Sequence, residues 1–234
     1  GETLLELLSA TKVLRKVSLS INSPLNTIDT CGTGGDALGT YNVSTAVAIV
    51  TAACGVPVAK HGNKAISSKS GSSDILSKLG VNINANIEKV EESLNEIGLC
   101  FLMAPLYHKA MRHVSKVRST LGIKTIFNLL GPLINPANTK RQLIGVYHRK
   151  WLLPLAKCLD SLGSTKVWVV NGMDGMDEIT ITSDSEVVEF YKGKLKSFKI
   201  NPKKYGMKLS GLEDIKGNSP EDNAKALKDL LNGK

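Results

Sequence analysis

Residues 29–36 read Asp29-Thr-Cys-Gly-Thr-Gly-Gly-Asp36, a loop with three glycines in four positions. Glycine lacks a Cβ atom, so this loop can take positive φ angles and bring its backbone close to a ligand. The apolar residues 25–28 predict a short strand before it, and Ser44 or Thr45 can cap a helix over residues 46–53. Because a helix amino terminus offers unpaired N–H groups, this order favours a phosphate-binding loop, with a plain tight turn as the alternative.

Two common phosphate-binding motifs are absent from the sequence. It contains neither G-x-x-x-x-G-K-[ST] nor G-x-G-x-x-G. The glycine loop is therefore neither a P-loop of the NTPase kind nor the usual dinucleotide fingerprint.

Composition sets broad limits on the class of protein. The 234 residues are 42% hydrophobic, enough for one large domain or one domain with a small second one. No apolar run approaches the ~20 residues of a membrane span and no signal-peptide pattern is visible, so we expect a cytoplasmic protein without a membrane partner. The net charge of +9 favours anionic partners such as nucleic acid or a polyphosphate substrate. Many lysines lie far from the glycine loop, so net charge alone does not choose between them.

The four cysteines are scattered along the chain as Cys31, Cys54, Cys100 and Cys158. They form no C-x-x-C pair, which argues against a zinc site. Cys54 and Cys100 have apolar neighbours, so we predict that both are buried thiols of a reducing compartment.

A second polar cluster follows a predicted strand at residues 56–59. It reads Lys60-His-Gly-Asn63-Lys64 and continues through Ser67-Ser-Lys-Ser-Gly-Ser72. Ligands of open α/β sheets bind beyond the carboxyl ends of strands, so this cluster is a candidate oxyanion site. A solvated serine- and lysine-rich loop is the alternative.

The rest of the chain alternates between helical and extended patterns. We predict helices over 3–17 with Thr3 as cap, 73–79, 86–97, 150–162 and from Ser219 to residue 231, and strands over 99–103, 142–147 and 166–170. Pro105 opens a predicted basic helix, residues 128–139 a predicted loop, and residues 186–200 a predicted β-hairpin. This alternation predicts an α/β fold with a mainly parallel central sheet flanked by helices.

An acidic turn follows the strand at 166–170 and includes Asp174, Asp177 and Glu178. Carboxylates beside phosphate-binding loops would repel the ligand unless a divalent cation lies between them. Mg²⁺ binds in this way, through one or two carboxylates and substrate phosphates. A simple Asp-Gly β-turn explains the same residues equally well.

Taken together, these motifs closely resemble the anthranilate phosphoribosyltransferase family, over nearly the whole chain and in the family's order. The residues that carry the resemblance are Asp29-Thr-Cys-Gly-Thr-Gly-Gly-Asp36, Asn42-Val-Ser-Thr45, Lys60-His-Gly-Asn63, Ser67-Ser-Lys-Ser-Gly-Ser72, Asn128-Leu-Leu-Gly-Pro-Leu133 and Asp174-Gly-Met-Asp-Glu178. The resemblance implies transfer of phosphoribose from phosphoribosyl pyrophosphate (PRPP) to the amine of anthranilate, a step of tryptophan biosynthesis in which pyrophosphate leaves. It also implies a fold similar to nucleoside phosphorylases, a homodimer, and one or two Mg²⁺ ions per subunit.

The resemblance also implies which residues bind each ligand. Those implied for PRPP are Gly32, Gly35, Asp36, Thr40, Asn42, Val43, Ser44, Thr45, Lys60, His61, Gly62, Asn63, Lys64, Ala65, Ile66, Ser67, Ser68 and Ser72. Those implied for anthranilate are Gly32, Asn63, Arg118, His61 and His108, and those for Mg²⁺ are Ser44, Asp177 and Glu178. No residue is assigned as a general base, because an aniline-type amine is already neutral at pH 7.

The family fold implies two domains. Residues 1–23 and about 105–125 would form a small, incomplete helical domain, and residues 24–104 and 126–234 the α/β domain. Family members are longer at both ends, so we expect a shortened chain. Lys64 and Lys124 stand where the family often has arginine, which keeps the charge but not the planar fork.

Three other interpretations compete with this one. A pyrimidine nucleoside phosphorylase-like enzyme would use similar glycine and lysine loops, but Lys60 to Asn63 together with Asp177 and Glu178 favour PRPP. A non-catalytic relative that binds nucleic acid fits the positive charge, but the two carboxylates would repel phosphates, so we expect no nucleic-acid partner. An inactive fragment is the third interpretation.

Overall fold

A seven-stranded sheet forms the centre of the computed structural model, which describes residues 2–64 and 70–234. In chain order its strands are β1 (Ile28–Asp29), β2 (Val58–Gly62), β3 (Leu99–Met103), β4 (Arg141–Gly145), β5 (Lys166–Gly172), β6 (Ser185–Tyr191) and β7 (Lys194–Ile200). The spatial order is β3-β2-β1-β4-β5-β6-β7. The first five strands pair in parallel, and β6 and β7 add an antiparallel hairpin at one edge. The predicted mainly parallel α/β sheet is confirmed.

The strand order reverses between β1 and β4. From β1 the chain proceeds to β2 and β3 on one side, and then crosses to β4 on the other side. Helices at such a switch point leave opposite faces of the sheet, so a crevice opens at the carboxyl ends of the two strands. The glycine loop follows β1 directly and therefore lies at this crevice.

Nine α-helices connect or flank the strands in the described ranges. They are α1 (Leu4–Val17), α2 (Val43–Ala53), α3 (Ser72–Lys78), α4 (Ile87–Ile97), α5 (Ala104–Tyr107), α6 (Arg112–Leu121), α7 (Phe127–Leu130), α8 (Leu152–Ser161) and α9 (Pro220–Leu231). Short 3₁₀ turns lie at Lys109–Met111, Gly131–Leu133, Arg149–Trp151, Pro202–Tyr205 and Leu212–Ile215. Across the described residues, every helix is too short or too polar to cross a membrane.

The main core lies between α8, α1, α7 and one face of the sheet. Leu7 of α1 is fully buried there, with Leu129, Leu155 and Leu159. A second core packs α4 on β2 and β3, and a third joins α3 to α9 through Ile75, Ala224 and Leu227. The first helix begins as predicted, because Thr3 and Glu6 form a reciprocal capping box. The division into two domains stays a prediction.

Several local predictions differ from the structure. Of the predicted strand 25–28, residues 25–26 form a turn closed by the Thr27 N–H donating to Pro24 O, with Leu25 exposed, and the strand covers Ile28–Asp29. The helix after the glycine loop begins at Val43 with Asn42 in the cap position, so Ser44 and Thr45 lie within its first turn. Cys54 is exposed because it follows the last residue of α2, whereas Cys100 on β3 is buried as predicted.

Two further segments are less regular or more regular than predicted. The basic helix from Pro105 is broken at His108, whose φ of −110° and ψ of 60° leave the helical region. The imidazole of His108 is directed inward at this break, and α6 begins four residues later. The predicted loop at 128–139 instead starts with the end of α7 and the turn Gly131–Leu133.

Candidate active site

Hydrogen bonds fix the glycine loop to the end of β4 and to the acidic turn. The Thr33 N–H donates to Gly145 O at 2.9 Å, and the Tyr147 N–H donates to Thr33 Oγ1 at 3.0 Å. The Gly34 N–H donates to Asp177 Oδ2 at 2.7 Å. Gly34 has a φ of 63°, a left-handed conformation that glycine adopts without strain. The structure therefore brings the glycine loop and Asp177 together, although 143 residues separate Gly34 from Asp177.

Two glycines make this approach possible. A Cβ atom on Gly145 would lie 1.5 Å from the carbonyl oxygen of Asp177, far inside contact distance. A Cβ atom on Gly32 would lie 3.0 Å from Asp177 Oδ2. Sequence reasoning selected Gly32 but missed Gly145, because nothing near Gly145 in the chain shows that the acidic turn packs on it.

Lys60 is a buried cation at the centre of the crevice. The side chain is 3% exposed, and its Nζ donates to Thr30 O at 3.2 Å and to Ser44 Oγ at 3.1 Å. Thr30 belongs to the glycine loop, and Ser44 lies in the first turn of α2. The ammonium group thus lies where β1, β2 and α2 converge.

The first turn of α2 is tied to the start of α3. Thr45 Oγ1 donates to Ser72 Oγ at 3.0 Å, and Asn42 Nδ2 donates to Ser70 O at 3.0 Å. Asn223 of α9 in turn donates from Nδ2 to Asn42 Oδ1 at 3.0 Å. The two polar clusters predicted from the sequence therefore lie side by side, and α9 supports them.

Three carboxylates face this crevice with little neutralising charge. Burial raises the pKa of Asp177, and repulsion from Asp36 adds to the rise. Burial also raises the pKa of Glu178, with a further contribution from Asp177, while Lys60 lowers it. Within residues 2–64 and 70–234, no ion pair includes any of these three carboxylates. Their charge therefore favours a bound cation.

The oxygen donors present fit Mg²⁺ better than a transition metal. Asp177, Glu178 and Ser44 offer hard carboxylate and hydroxyl oxygens. Over the described ranges, no three His, Cys, Asp or Glu side chains form a ready cation site. Mg²⁺ is commonly held by one or two carboxylates together with substrate phosphates, so an incomplete protein site is the expected one.

His61 and His108 form a buried pair beneath the crevice. Their Nε2 atoms are 3.1 Å apart, and the side chains are 3% and 4% exposed. His61 Nδ1 is 3.1 Å from Gly131 O, and His108 Nδ1 is 2.7 Å from Ser18 Oγ. Burial lowers the pKa of His61 to about 3 and that of His108 to about 4, so both rings are neutral at pH 7. Every ring nitrogen of the pair has a partner within the protein.

Two cations lie near the end of α6: Arg118 in its last turn and Lys124 in the segment before α7. The Lys124 ammonium is 4.1 Å from the centroid of the Tyr147 ring, and a Cβ atom on Gly35 would be 3.4 Å from Lys124 Cε. Lys124 therefore reaches the glycine loop. The Arg118 guanidinium is 5.6 Å from the centroid of Phe127. The family resemblance implied a role for Arg118, and Lys124 was noted only as standing where the family often has arginine.

The remaining predicted residues lie around the same crevice or outside the described residues. Asp36 Oδ1 accepts from the Leu38 N–H, and Asn63 Oδ1 accepts from the Lys64 N–H. Thr40 forms an isolated antiparallel β-bridge with Lys216. Val43 begins α2, and a Cβ atom on Gly62 would be 3.3 Å from Ser72 Cβ. Four predicted PRPP residues lie outside the described residues: Ala65, Ile66, Ser67 and Ser68.

Comparisons with known proteins identify the class. Residues 25–234 match the glycosyl transferase family, a/b domain. An anthranilate phosphoribosyltransferase of Rhodospirillum rubrum is 52% identical over 233 residues, which cover 100% of this chain and 67% of the relative. The one of Agrobacterium fabrum is 49% identical over 234 residues, covering 100% and 68%. The chain thus spans about two thirds of the length of these relatives.

Solved structures agree with these matches. The crystal structure of anthranilate phosphoribosyltransferase from Thermus thermophilus superposes with a TM-score of 0.92 at 42% identity, covering 100% of this chain and 69% of that one. The Saccharomyces cerevisiae enzyme in complex with PRPP and Mg gives a TM-score of 0.89 at 33% identity, covering 97% and 63%.

The fold and the crevice therefore define a glycosyl transferase of the α/β type. The chain belongs to the anthranilate phosphoribosyltransferase family. The family resemblance and the transferase class predicted from the sequence are both confirmed.

Proposed function

We propose that this chain transfers 5-phosphoribose from PRPP to the amine of anthranilate, releasing pyrophosphate. One observation carries the proposal: the Gly34 N–H donates to Asp177 Oδ2 at 2.7 Å, which joins the glycine loop to the acidic turn at the switch point of the sheet. The similar enzyme of Saccharomyces cerevisiae binds PRPP and Mg in one structure and 4-fluoroanthranilate in another.

The pyrophosphate group of PRPP fits the glycine loop and the first turn of α2. Backbone N–H groups of the loop and the positive end of α2 favour phosphate oxygens. Lys60 adds a buried ammonium group beside Ser44. Lys124, held over the Tyr147 ring, adds a second cation at Gly35. These groups would bind and orient the leaving group.

Asp177, Glu178 and Ser44 would hold Mg²⁺, one or two ions per subunit. When bound, Mg²⁺ would neutralise pyrophosphate oxygens and relieve the repulsion among the carboxylates. Burial, and then repulsion from neighbouring carboxylates, raises the pKa of Asp177 and of Glu178, which supports this role because a bound cation would favour the charged forms. The count of ions is part of the proposal.

Catalysis would rest on the leaving group and on positioning. Breaking the C1–O bond of PRPP develops positive charge on the ribose and negative charge on pyrophosphate. The Lys60 ammonium is held in place by Thr30 O and Ser44 Oγ and would stabilise the negative charge. The anthranilate amine is neutral and needs no strong base, which agrees with a histidine pair whose ring nitrogens are all occupied. Arg118 would pair with the anthranilate carboxylate.

The homodimer and the cytoplasmic location stay predictions. The curated relatives support an enzyme that acts on PRPP and anthranilate rather than on pyrimidine nucleosides or nucleic acid.

The test is the loss of anthranilate fluorescence when the chain is mixed with PRPP and Mg²⁺. We expect a decay that EDTA abolishes and that Asp177→Ala slows strongly, whereas Glu96→Gln, an exposed carboxylate on α4, leaves the rate unchanged. If no decay is seen, calorimetric titration of the chain with PRPP in the presence of Mg²⁺ separates two explanations. Binding without turnover would reject the activity and keep the binding site, and absence of binding would reject both. Phosphorolysis of thymidine or uridine would favour the phosphorylase alternative.

A further inference from the structure

A chain of close polar contacts runs from the end of α1 to the turn after α7. Ser18 Oγ is 2.7 Å from His108 Nδ1, His108 Nε2 is 3.1 Å from His61 Nε2, and His61 Nδ1 is 3.1 Å from Gly131 O. The two rings meet edge to face, with centroids 5.0 Å apart. These three contacts between separate elements need a consistent set of hydrogens, and the chemistry of the atoms limits the choice.

The carbonyl end determines the tautomer of His61. Gly131 O can only accept, so His61 Nδ1 carries the hydrogen of that contact. In a neutral ring, His61 Nε2 is then an acceptor. The facing atom, His108 Nε2 at 3.1 Å, must therefore donate, since two lone pairs at this distance repel.

The same reasoning passes to Ser18. A neutral His108 that donates from Nε2 has a lone pair on Nδ1, and the atom 2.7 Å away from it is Ser18 Oγ. The serine hydroxyl has one hydrogen and two acceptors within reach, His108 Nδ1 and Leu14 O at 2.6 Å. If Ser18 donates to Leu14 O, His108 Nδ1 must carry a hydrogen and the pair as a whole must hold one extra proton. If Ser18 donates to His108 instead, the 2.6 Å contact with Leu14 O holds no hydrogen, so the choice depends on the cost of the extra buried proton.

The surroundings oppose that extra proton. Both rings are almost fully buried, and burial is the largest factor that lowers the pKa of each one. Lys60 lies close enough to His61 to lower its pKa further, as does His108 itself. Asp29, on the neighbouring strand β1, accepts from the backbone N–H of His61 rather than from its ring.

We propose that Ser18 is a positioning residue: its hydroxyl donates to His108 and ends a one-directional hydrogen-bond chain, Ser18 to His108 to His61 to Gly131, that keeps both imidazoles neutral and fixes their orientation. The chain connects the carboxyl end of α1 to β2, whose last residues supply Lys60 to the crevice. Neither histidine has a ring nitrogen left to exchange a proton with a substrate. Both act as walls of the site, and Ser18 controls their orientation from outside it.

The effect on catalysis rests on the proposed function and on the roles that the family resemblance implies for His61 and His108 in binding anthranilate. A rotated His61 or His108 would disturb the anthranilate pocket and leave the glycine loop unchanged. Loss of the Ser18 hydroxyl should therefore raise the KM for anthranilate roughly 5-fold or more, as expected when a buried acceptor loses its donor. The KM for PRPP should change by no more than about a factor of two, because residues that share no contacts usually act independently.

The first experiment determines the tautomers by ¹⁵N NMR of histidine rings in the whole chain at pH 7. We expect His61 protonated on Nδ1 only and His108 protonated on Nε2 only. A ring with both nitrogens protonated, or His108 protonated on Nδ1, would overturn the proposal. This measurement needs no turnover, so it decides the hydrogen arrangement even if the chain proves inactive.

Variants then test the role of the hydroxyl. In Ser18→Ala the His108 Nδ1 resonance should move to that of an unprotonated nitrogen that receives no hydrogen bond. Ser18→Thr keeps a hydroxyl, so its Nδ1 resonance and its KM for anthranilate should equal those of the unmodified chain. Ser9→Ala, an exposed serine on the same helix, is the matched control and should change neither. An unchanged Nδ1 resonance in Ser18→Ala would refute the contact, and equal rises in both KM values would refute the positioning role.

Discussion

Gly145→Ala tests the contact that assembles the site. A Cβ atom at this position would be 1.5 Å from the carbonyl oxygen of Asp177, whereas ordinary contact begins near 3.4 Å. The end of β4 and the acidic turn must therefore separate by about 2 Å. Overpacking of this kind costs about 1–3 kcal/mol, which lowers Tm by about 2–12 °C in a chain of 150–250 residues.

The same displacement should weaken ligand binding more than it weakens the fold. Moving Asp177 by about 2 Å breaks its 2.7 Å hydrogen bond from the Gly34 N–H and removes a proposed Mg²⁺ ligand from the glycine loop. We expect PRPP affinity in the presence of Mg²⁺ to fall at least about tenfold, the equivalent of ~1.4 kcal/mol. Calorimetric titration measures the affinity, and thermal unfolding followed by circular dichroism measures Tm.

Gly211→Ala is the matched control for this substitution. Gly211 has an extended backbone with a φ of −80°, and a Cβ atom there would meet its nearest neighbour, Asp214 Oδ2, at an ordinary 3.5 Å. Its Tm and PRPP affinity should equal those of the unmodified chain. If Gly145→Ala behaves like Gly211→Ala in both assays, the close packing of the acidic turn on β4 is wrong.

Three further substitutions or conditions test other parts of the argument. Lys60→Met should reduce PRPP affinity about tenfold or more, because it removes the buried ammonium beside Ser44. An unchanged PRPP affinity in calorimetric titration would show that this cation does not contact the ligand. The free energy of unfolding should fall as pH drops from about 6.5 towards 4, because His61 and His108 stay neutral in the folded state and take up protons when the chain unfolds. His108→Gln should flatten this pH dependence, and an unchanged pH dependence in the variant would contradict the buried neutral pair. Thr3→Ala should cost about 1 kcal/mol by removing the capping box of α1, measured by urea unfolding with Ser9→Ala as control, and an unchanged midpoint would refute the cap.

The sequence was sufficient to predict the elements and the class of the fold. Local signals were strong where one residue type has one physical use, as with Thr3 before α1, Ser219 and Pro220 at the start of α9, and Gly98 after α4. The alternation of strands and helices predicted a mainly parallel sheet, and the hairpin of β6 and β7 was also predicted. The motifs, read together, predicted the family that the relatives confirm.

Only the tertiary structure decided how the motifs meet. No local pattern brings Asp177 to Gly34, because their contact depends on β4 lying beside β1, on β5 lying beside β4, and on the absence of a side chain at Gly145. The partners of His108 were equally hidden, since Ser18 and His61 are 90 and 47 residues away in the chain. Local sequence sets backbone preferences and polarity, whereas contacts between distant residues depend on strand order and packing, which no single segment encodes.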